Sequence, residues 1–259
     1  PLQNNIPDWL KLAAENRLEE AYEVSHSTNN FPEICGSICP QDRLCEGNCV
    51  IEKGFQSVTI GRVEKHITDT AWKKGWIKPL NPPKEIDKSI GIIGAGPGGL
   101  AAAEELRKKG YKVEIYDRYD RPGGLLIYGI PNFKLEKNAV QRRIQILKKG
   151  GIIFHNNFEV GKTKPFDFLR KKHDAILIAT GVYKAREFDI PELDIPGIVP
   201  ALKFLIASNK KGLGDNVLEF ENGELNAKNK NVIVVGGGDT AMDCVRTAIR
   251  QKAKSVTCL

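Results

Sequence analysis

Four cysteines lie within fifteen residues, Cys35, Cys39, Cys45 and Cys49, in the spacing C-x3-C-x5-C-x3-C. Thiolates this dense can hold a metal, pair as disulfides or ligate an iron–sulfur cluster. Zinc sites usually show C-x2-C knuckles, which this loop lacks. Disulfides suit an oxidising compartment, whereas a nucleotide-binding redox chain normally keeps its thiols reduced. Iron–sulfur ligation fits best, with zinc and disulfides as the alternatives. Cys244 and Cys258 fall in a predicted helix and strand and are expected to be small core residues. His26, His66, His155 and His173 form no cluster in the sequence and are expected to be structural.

A second kind of chemistry is written in glycine. Gly94-Ala95-Gly96-Pro97-Gly98-Gly99 matches G-x-G-x-x-G, after a predicted strand and at the opening of a predicted helix. The first glycine permits the tight turn and the second lets backbone approach a pyrophosphate. The third packs helix against strand, and the helix N-terminus faces the phosphates. Asp117 ends the next strand, where a carboxylate accepts hydrogen bonds from ribose hydroxyls, and Arg118 beside it is assigned to the same site. Gly236-Gly237-Gly238-Asp239-Thr240-Ala241 repeats the pattern as G-x-G-x-x-A. Either stretch could be a glycine-rich turn used for packing alone. Two dinucleotide sites in one chain point instead to a flavin and a nicotinamide exchanging electrons.

The elements that must position these groups follow from periodicity. Residues 1–86 show no strand pattern. Helices are predicted from Ile6, over 17–25 and over 59–76, with a cysteine-rich loop at 35–49 and a linker at Asn81-Pro82-Pro83. Strand and helix then alternate: strand 90–93, helix 98–109, strand 112–116, strands at 151–155 and 174–179, strand 231–235, helix 240–251 and strand 255–258. That alternation predicts parallel sheets with crossover helices. The expected fold class is α/β: an N-terminal all-helical domain (1–86), a Rossmann-like dinucleotide domain (87–195) and the first part of a second one (196–259), which the resemblance described below makes the FAD and NAD(P)H domains.

Composition limits the partners. The 259 residues carry 39 Lys plus Arg against 32 Asp plus Glu, a formal +7. The basic residues sit in short scattered groups, mostly at predicted helix ends, where cations are favoured. No aromatic residues interleave with them, so a nucleic-acid platform is not expected. No apolar run reaches the roughly 18 residues of a membrane helix, so no membrane partner is expected either.

Longer stretches carry a resemblance. Residues 35–49, Gly124-Leu125-Leu126-Ile127-Tyr128-Gly129-Ile130-Pro131 and Gly238-Asp239-Thr240-Ala241-Met242-Asp243 resemble the small (beta) subunits of bacterial NADPH-dependent glutamate synthase. The same module recurs in dihydropyrimidine dehydrogenase and related flavin reductases. The resemblance implies a cytoplasmic oxidoreductase with FAD, NADPH and 4Fe-4S clusters. NADPH at the second site gives hydride to FAD at the first, and electrons leave singly through the clusters. A large (alpha) glutamate synthase subunit then makes glutamate from glutamine and 2-oxoglutarate. No acid or base on this chain need act, so no catalytic residue is assigned. The alternatives are the same module serving another acceptor, of pyrimidine reductase or ferredoxin–NADP oxidoreductase type, and a fold retained without electron flow.

The same resemblance assigns further residues. Gly124 and Leu125, in the turn after Arg121-Pro122-Gly123, lie near the flavin. Ala179-Thr180-Gly181 links the nucleotide domains, or is only a strand end and turn. Val160 supplies a backbone contact to adenine, or is a plain strand residue. Cys39 and Cys45 serve one cluster, completed by Glu64, which could equally be a surface helical residue. Cys49 serves the other cluster, and Cys35 is the least secure ligand. Relatives place further cysteines ahead of this stretch and continue past Leu259. The chain is therefore expected to be an internal piece, holding neither cluster stably, with its cysteine loop flexible or disulfide-linked. It is also expected to lack the residue after the strand at 255–258 that separates NADP from NAD.

Overall fold

The two periodicities produce two kinds of unit. A computed structural model describes residues 3–183 and 195–259; Pro1, Leu2 and the residues just before the expected boundary at 195 lie outside it. The first unit is helical: α1 (Ile6–Ala14), α2 (Leu18–His26), α3 (Pro32–Ile38) and α4 (Ile60–Lys74). Helix α1 takes Pro7 in its first turn, where a missing N–H costs nothing, and α4 stops at Gly75 in the left-handed region. Trp9, Ala21, Ile67 and Ala71 of α1, α2 and α4 are fully buried against one another. Each large apolar side chain removed from water contributes roughly 1.5–3 kcal/mol.

Helix α3 was not expected, because the sequence places a loop from Cys35 onward. Pro32 opens it, Cys35 lies inside it and Cys39 caps it. It carries a glycine at its centre, which disfavours helix. The reason is contact: a Cβ on Gly36 would come 2.5 Å from the Gly61 carbonyl oxygen, so α3 and α4 meet backbone to backbone. The other side of α3 faces away from its own unit. Phe31, Ile34 and Ile38 join the hydrophobic core of the next one.

That next unit is a four-stranded parallel sheet in the order β3-β2-β1-β4. Its strands are β1 (Ser89–Ile93), β2 (Lys112–Tyr116), β3 (Ile153–His155) and β4 (Ala175–Ile178). Ile90 pairs with Val113 on one side and Ala175 on the other, so β1 is central. Helix α5 (Pro97–Lys108) crosses from β1 to β2. Between β2 and β3 run the one-turn α6 (Leu125–Tyr128) and the longer α7 (Lys137–Lys149), and α8 (Phe166–Lys172) precedes β4. Ile92, Leu100, Ile115, Ile127, Val140 and Leu147 fill the core.

After residue 195, α9 (Ala201–Gly212) and α10 (Leu218–Glu221) lead to a second sheet. It comprises β5 (Asn231–Val234) paired parallel to β6 (Ser255–Cys258), with α11 (Asp239–Arg250) between them. Cys244 is buried in α11, as expected. Cys258 is not a core residue: it is exposed, because β6 pairs with β5 alone and its face there is uncovered among the described residues. Basic groups fall in the last turns of helices: Arg107 and Lys108 in α5, and, in helices the sequence did not show, Lys148 and Lys149 in α7 and Lys210 and Lys211 in α9.

Candidate functional site

The first glycine turn leaves the centre of the sheet. Gly94 has φ +109°, and a Cβ there would lie 2.4 Å from the Ala179 carbonyl oxygen. A Cβ on Gly99 would lie 2.0 Å from the Gly94 carbonyl oxygen, so this position lets α5 close on β1. Gly96 and Gly98 face open space. Gly96 is the extended N-cap of α5 and Pro97 its first residue, which exposes the N–H groups at the helix start. The turn therefore fits a bound pyrophosphate: tight where chain meets chain, open where a ligand approaches.

Three other assigned segments converge on it. Asp117 is buried, and its carboxylate accepts from the Ala95 N–H at 2.5 Å and the Tyr119 N–H at 2.8 Å. Each oxygen retains a lone pair, so fastening the turn and receiving a ribose hydroxyl are compatible. Gly124 backs onto Gly96, with its would-be Cβ 2.8 Å from the Gly96 Cα. Ala179 continues β4, its N–H donating to Ile93 O at 2.8 Å, and Thr180 and Gly181 follow at the surface. Leu125 opens α6 and is half-buried. Val160 is also half-buried, on a short loop bridge to Lys164, just after Phe158 N–H donates to Asp117 O.

Arg118, assigned to the site from sequence, lies over Tyr183, 4.3 Å from the ring centroid, and over Tyr119 at 5.0 Å. Its aromatic partners and Lys137 were not found from sequence. Tyr119 also stacks near Tyr128, 4.8 Å between centroids. Lys137 is buried, and its Nζ donates to the Leu126 carbonyl at 2.9 Å and to the Ile130 carbonyl. Burial pushes this lysine down to about 8. It anchors both ends of the 124–130 loop. A lysine starting an amphipathic stretch gives no sign of this in the sequence.

The second glycine turn repeats the backbone. Gly236 has φ +120°, and Gly238 is the extended N-cap of α11, with ψ 177° against 179° at Gly96. Asp239 opens the helix, Thr240 is exposed and Ala241 is buried beneath the turn. Gly237 and Gly238 face open space, so this turn too admits a phosphate.

In the helical unit, Cys35 and Glu64 share a partner, and Cys39 and Cys45 lie near enough to Glu64 for their charges to act on one another. The shared partner is the Asn29 side chain: its amide donates to Glu64 Oε1 at 2.9 Å, and its oxygen accepts from Cys35 Sγ at 3.5 Å. A hydrogen bond between the two sulfurs raises Cys35 and lowers Cys39, so Cys39 ionises first. Burial raises Cys45 and pushes Glu64 up to about 7. Glu64 is therefore not a surface residue. The charges that act most on Glu64, Cys35 and Cys45 are acidic. That donor set suits a cationic iron centre. Cys49 lies further along, after the turn in which its N–H donates to Glu46 O. All six cysteines are free thiols, so the expected disulfide option is not taken. Among the described residues no three His, Cys, Asp or Glu side chains converge on one metal point. A 4Fe-4S cube spreads its ligands around itself and requires no such convergence.

Comparison with known proteins follows this division. Residues 88–259 match the family model of pyridine nucleotide-disulphide oxidoreductases. The chain belongs to that family. Residues 1–76 match the model described as dihydropyrimidine dehydrogenase domain II, 4Fe-4S cluster. The chain is 65% identical over 260 residues to the glutamate synthase (NADPH) small chain of Azospirillum brasilense, covering all of this chain and 54% of that one. It is 45% identical over 258 residues to the glutamate synthase (NADH) of Schizosaccharomyces pombe, covering 99% of this chain and 12% of that one. The chain thus spans about half the length of the bacterial small chain it matches. In fold it resembles FprA of Mycobacterium tuberculosis, solved with NADPH (TM-score 0.55, 20% identity, 69% of this chain and 43% of that one). The α/β flavoprotein fold class and the oxidoreductase family expected from sequence both stand, and the expected FAD, NADPH and 4Fe-4S set is in keeping with these families. Among the described residues no helix is long and apolar enough to cross a membrane.

Proposed function

We propose that this chain is the electron-input part of a glutamate synthase, taking electrons from NADPH and passing them to a large glutamate-forming subunit in the cytoplasm. The observation that carries this is the combination in one chain of two open glycine turns with a thiol–carboxylate cluster. Two further features support it: the family match over both halves and the 65% identity to a bacterial small chain. When bound, FAD accepts hydride from NADPH and yields single electrons, which the clusters carry.

The residues do the holding. The N–H groups at the start of α5, beyond Gly94, Ala95, Gly96, Pro97, Gly98 and Gly99, receive the FAD pyrophosphate, and Asp117 receives its ribose. Arg118 and the Val160 backbone border the adenosine, while Gly124, Leu125 and Ala179-Thr180-Gly181 border the flavin. The turn from Gly236 to Ala241 receives the nicotinamide dinucleotide. Cys39, Cys45 and Glu64, with Cys35 beside them, hold one cluster, and Cys49 contributes to a second. The division of labour is 1–86 for the clusters, 87–195 for FAD and 196–259 for NADPH.

An absorbance spectrum before and after NADPH tests this. In the full-length protein, a yellow-brown colour with a flavin band that bleaches supports it, and no response to NADPH overturns it. Asp117→Ala should lower the flavin retained after dialysis. The match to a dihydropyrimidine dehydrogenase domain favours a second reading, the same module feeding a pyrimidine reductase. Co-purification with a glutamate-forming subunit decides against it.

A further inference from the structure

The helical unit and the first sheet unit meet along a charged seam. Glu33 of α3 and Arg143 of α7 form a two-pronged pair, Nε to Oε1 and Nη2 to Oε2, both 2.9 Å. Their side chains are 1% and 2% exposed. The neighbouring Arg142 donates to Asp69 of α4 at 2.7 Å. Both guanidinium groups lie against the Trp72 ring, 4.7 and 5.1 Å from its centroid. Two consecutive residues of α7 thus grip two different helices of the cysteine-bearing unit.

Stability alone is a poor reason for such a pair. Removing two charges from water costs several kcal/mol per ion, and apolar residues of the same volume often stabilise as well or better (about 1–4 kcal/mol). Orientation is a better reason. Phe31 and Ile34 already bury α3 in the core of the sheet unit, but apolar contact is non-directional and permits sliding. A fork-to-fork arginine–carboxylate pair admits essentially one arrangement. Helix α3 has seven residues and cannot hold itself in place. It carries Cys35 and ends at Cys39, and it shares a core with Leu126, Ile127 and Tyr128 beside the glycine turn.

We propose that Glu33 and Arg143 are a positioning pair that locks α3, and with it Cys35 and Cys39, in one orientation against the Gly124–Tyr128 loop. Neither residue touches a cofactor. Their role is to hold the two electron-carrying centres at a fixed separation, which rests on the function proposed above.

The test uses the full-length, cofactor-loaded protein with Glu33→Gln and Arg143→Met combined, so that no unpaired charge is buried if folding is sensitive to one. Rapid mixing with NADPH follows the flavin band and the cluster absorbance separately. Flavin reduction should stay within about twofold of the parent, while cluster reduction slows about tenfold or more, as geometry-sensitive steps do on displacement by about 1 Å. Amide exchange across 31–38 should rise about tenfold while 112–116 stays unchanged, since opening would be local. Arg143→Lys, which keeps the charge without the fork, should fall between parent and double variant in both readouts. Unchanged cluster reduction together with unchanged exchange at 31–38 would overturn the proposal. So would an equal loss of flavin and cluster reduction, which would mean a general effect on the fold. A parent protein without cluster bands or NADPH response would instead sink the functional reading, and amide exchange alone would then decide the clamp.

Discussion

The two glycine turns have nearly the same backbone and very different surroundings. At the first, Gly94 meets the β4 backbone, Gly124 presses on Gly96, and Asp117 is bonded to Ala95 N–H. At the second, a Cβ on Gly236 would meet only the Ala241 side chain, at 3.9 Å. Among the described residues, the first leaves a strand paired on both sides, the second a strand paired on one. Local sequence is thus enough to shape such a turn, while tertiary neighbours decide how much depends on each glycine.

The widest separation is expected between Gly94→Ala and Gly236→Ala. Both place a side chain at positive φ, a strain of about 1–3 kcal/mol. Only Gly94→Ala adds a collision with backbone, so its total should reach about 4 kcal/mol or more. Urea unfolding of the two variants measures the difference, and equal losses would break the comparison. The third glycine position gives the next effect. Gly99→Ala forces α5 off β1 and should cost about 3 kcal/mol, whereas Ala241→Gly should cost about 1 kcal/mol through helix propensity. If Gly99→Ala proves as mild as Ala241→Gly, the close helix–strand approach is not needed.

Lys137 fastens the 124–130 loop that packs against the first turn. Its folded value of about 8 lies below the ordinary 10.5. Between those two values the unfolded chain binds more protons than the folded one, so this site's contribution to stability rises with pH. Relative to Lys137→Met, the parent should gain on the order of 2 kcal/mol across that window. Paired melts at its two ends check this, and a flat difference would place the ammonium in water. A modest effect is expected from Asp117→Asn, which keeps one acceptor and turns an amide N–H toward a backbone N–H. A loss of about 1–2 kcal/mol is expected, with weaker flavin retention and no change in nicotinamide affinity at the second turn.

The strand–helix–strand units were legible because fingerprint and periodicity agree there: β1, α5 and β2, and again β5, α11 and β6, fall within a residue or two of expectation. Helix α7 was missed although Val140, Ile144 and Leu147 stand at helical spacing. The basic residues between them, including the two arginines that are inward partners, dilute the apolar signal. Helix α3 was missed because its propensity is poor and its existence depends on α4 and α7. At the candidate site, the two glycine fingerprints, Asp117 and the cysteine group stand out by spacing, whereas Gly124, Gly181 and the roles of single cysteines came only through the resemblance. Lys137, Asn29 and the Arg118–Tyr183 stack could not be read from either, since nothing local distinguishes a residue whose partners lie tens of positions away.

The Glu33–Arg143 pair also sets an order of events during synthesis. Its members are 110 residues apart in the chain. At roughly 5–20 residues per second, a ribosome needs on the order of 5–20 s to deliver Arg143 after Glu33 has been made. Through that interval α3 has neither its ionic partner nor the sheet-unit core that takes up Phe31 and Ile34. Helix α3, although made before α7, therefore gains its final packing and ionic contacts only once α7 has emerged.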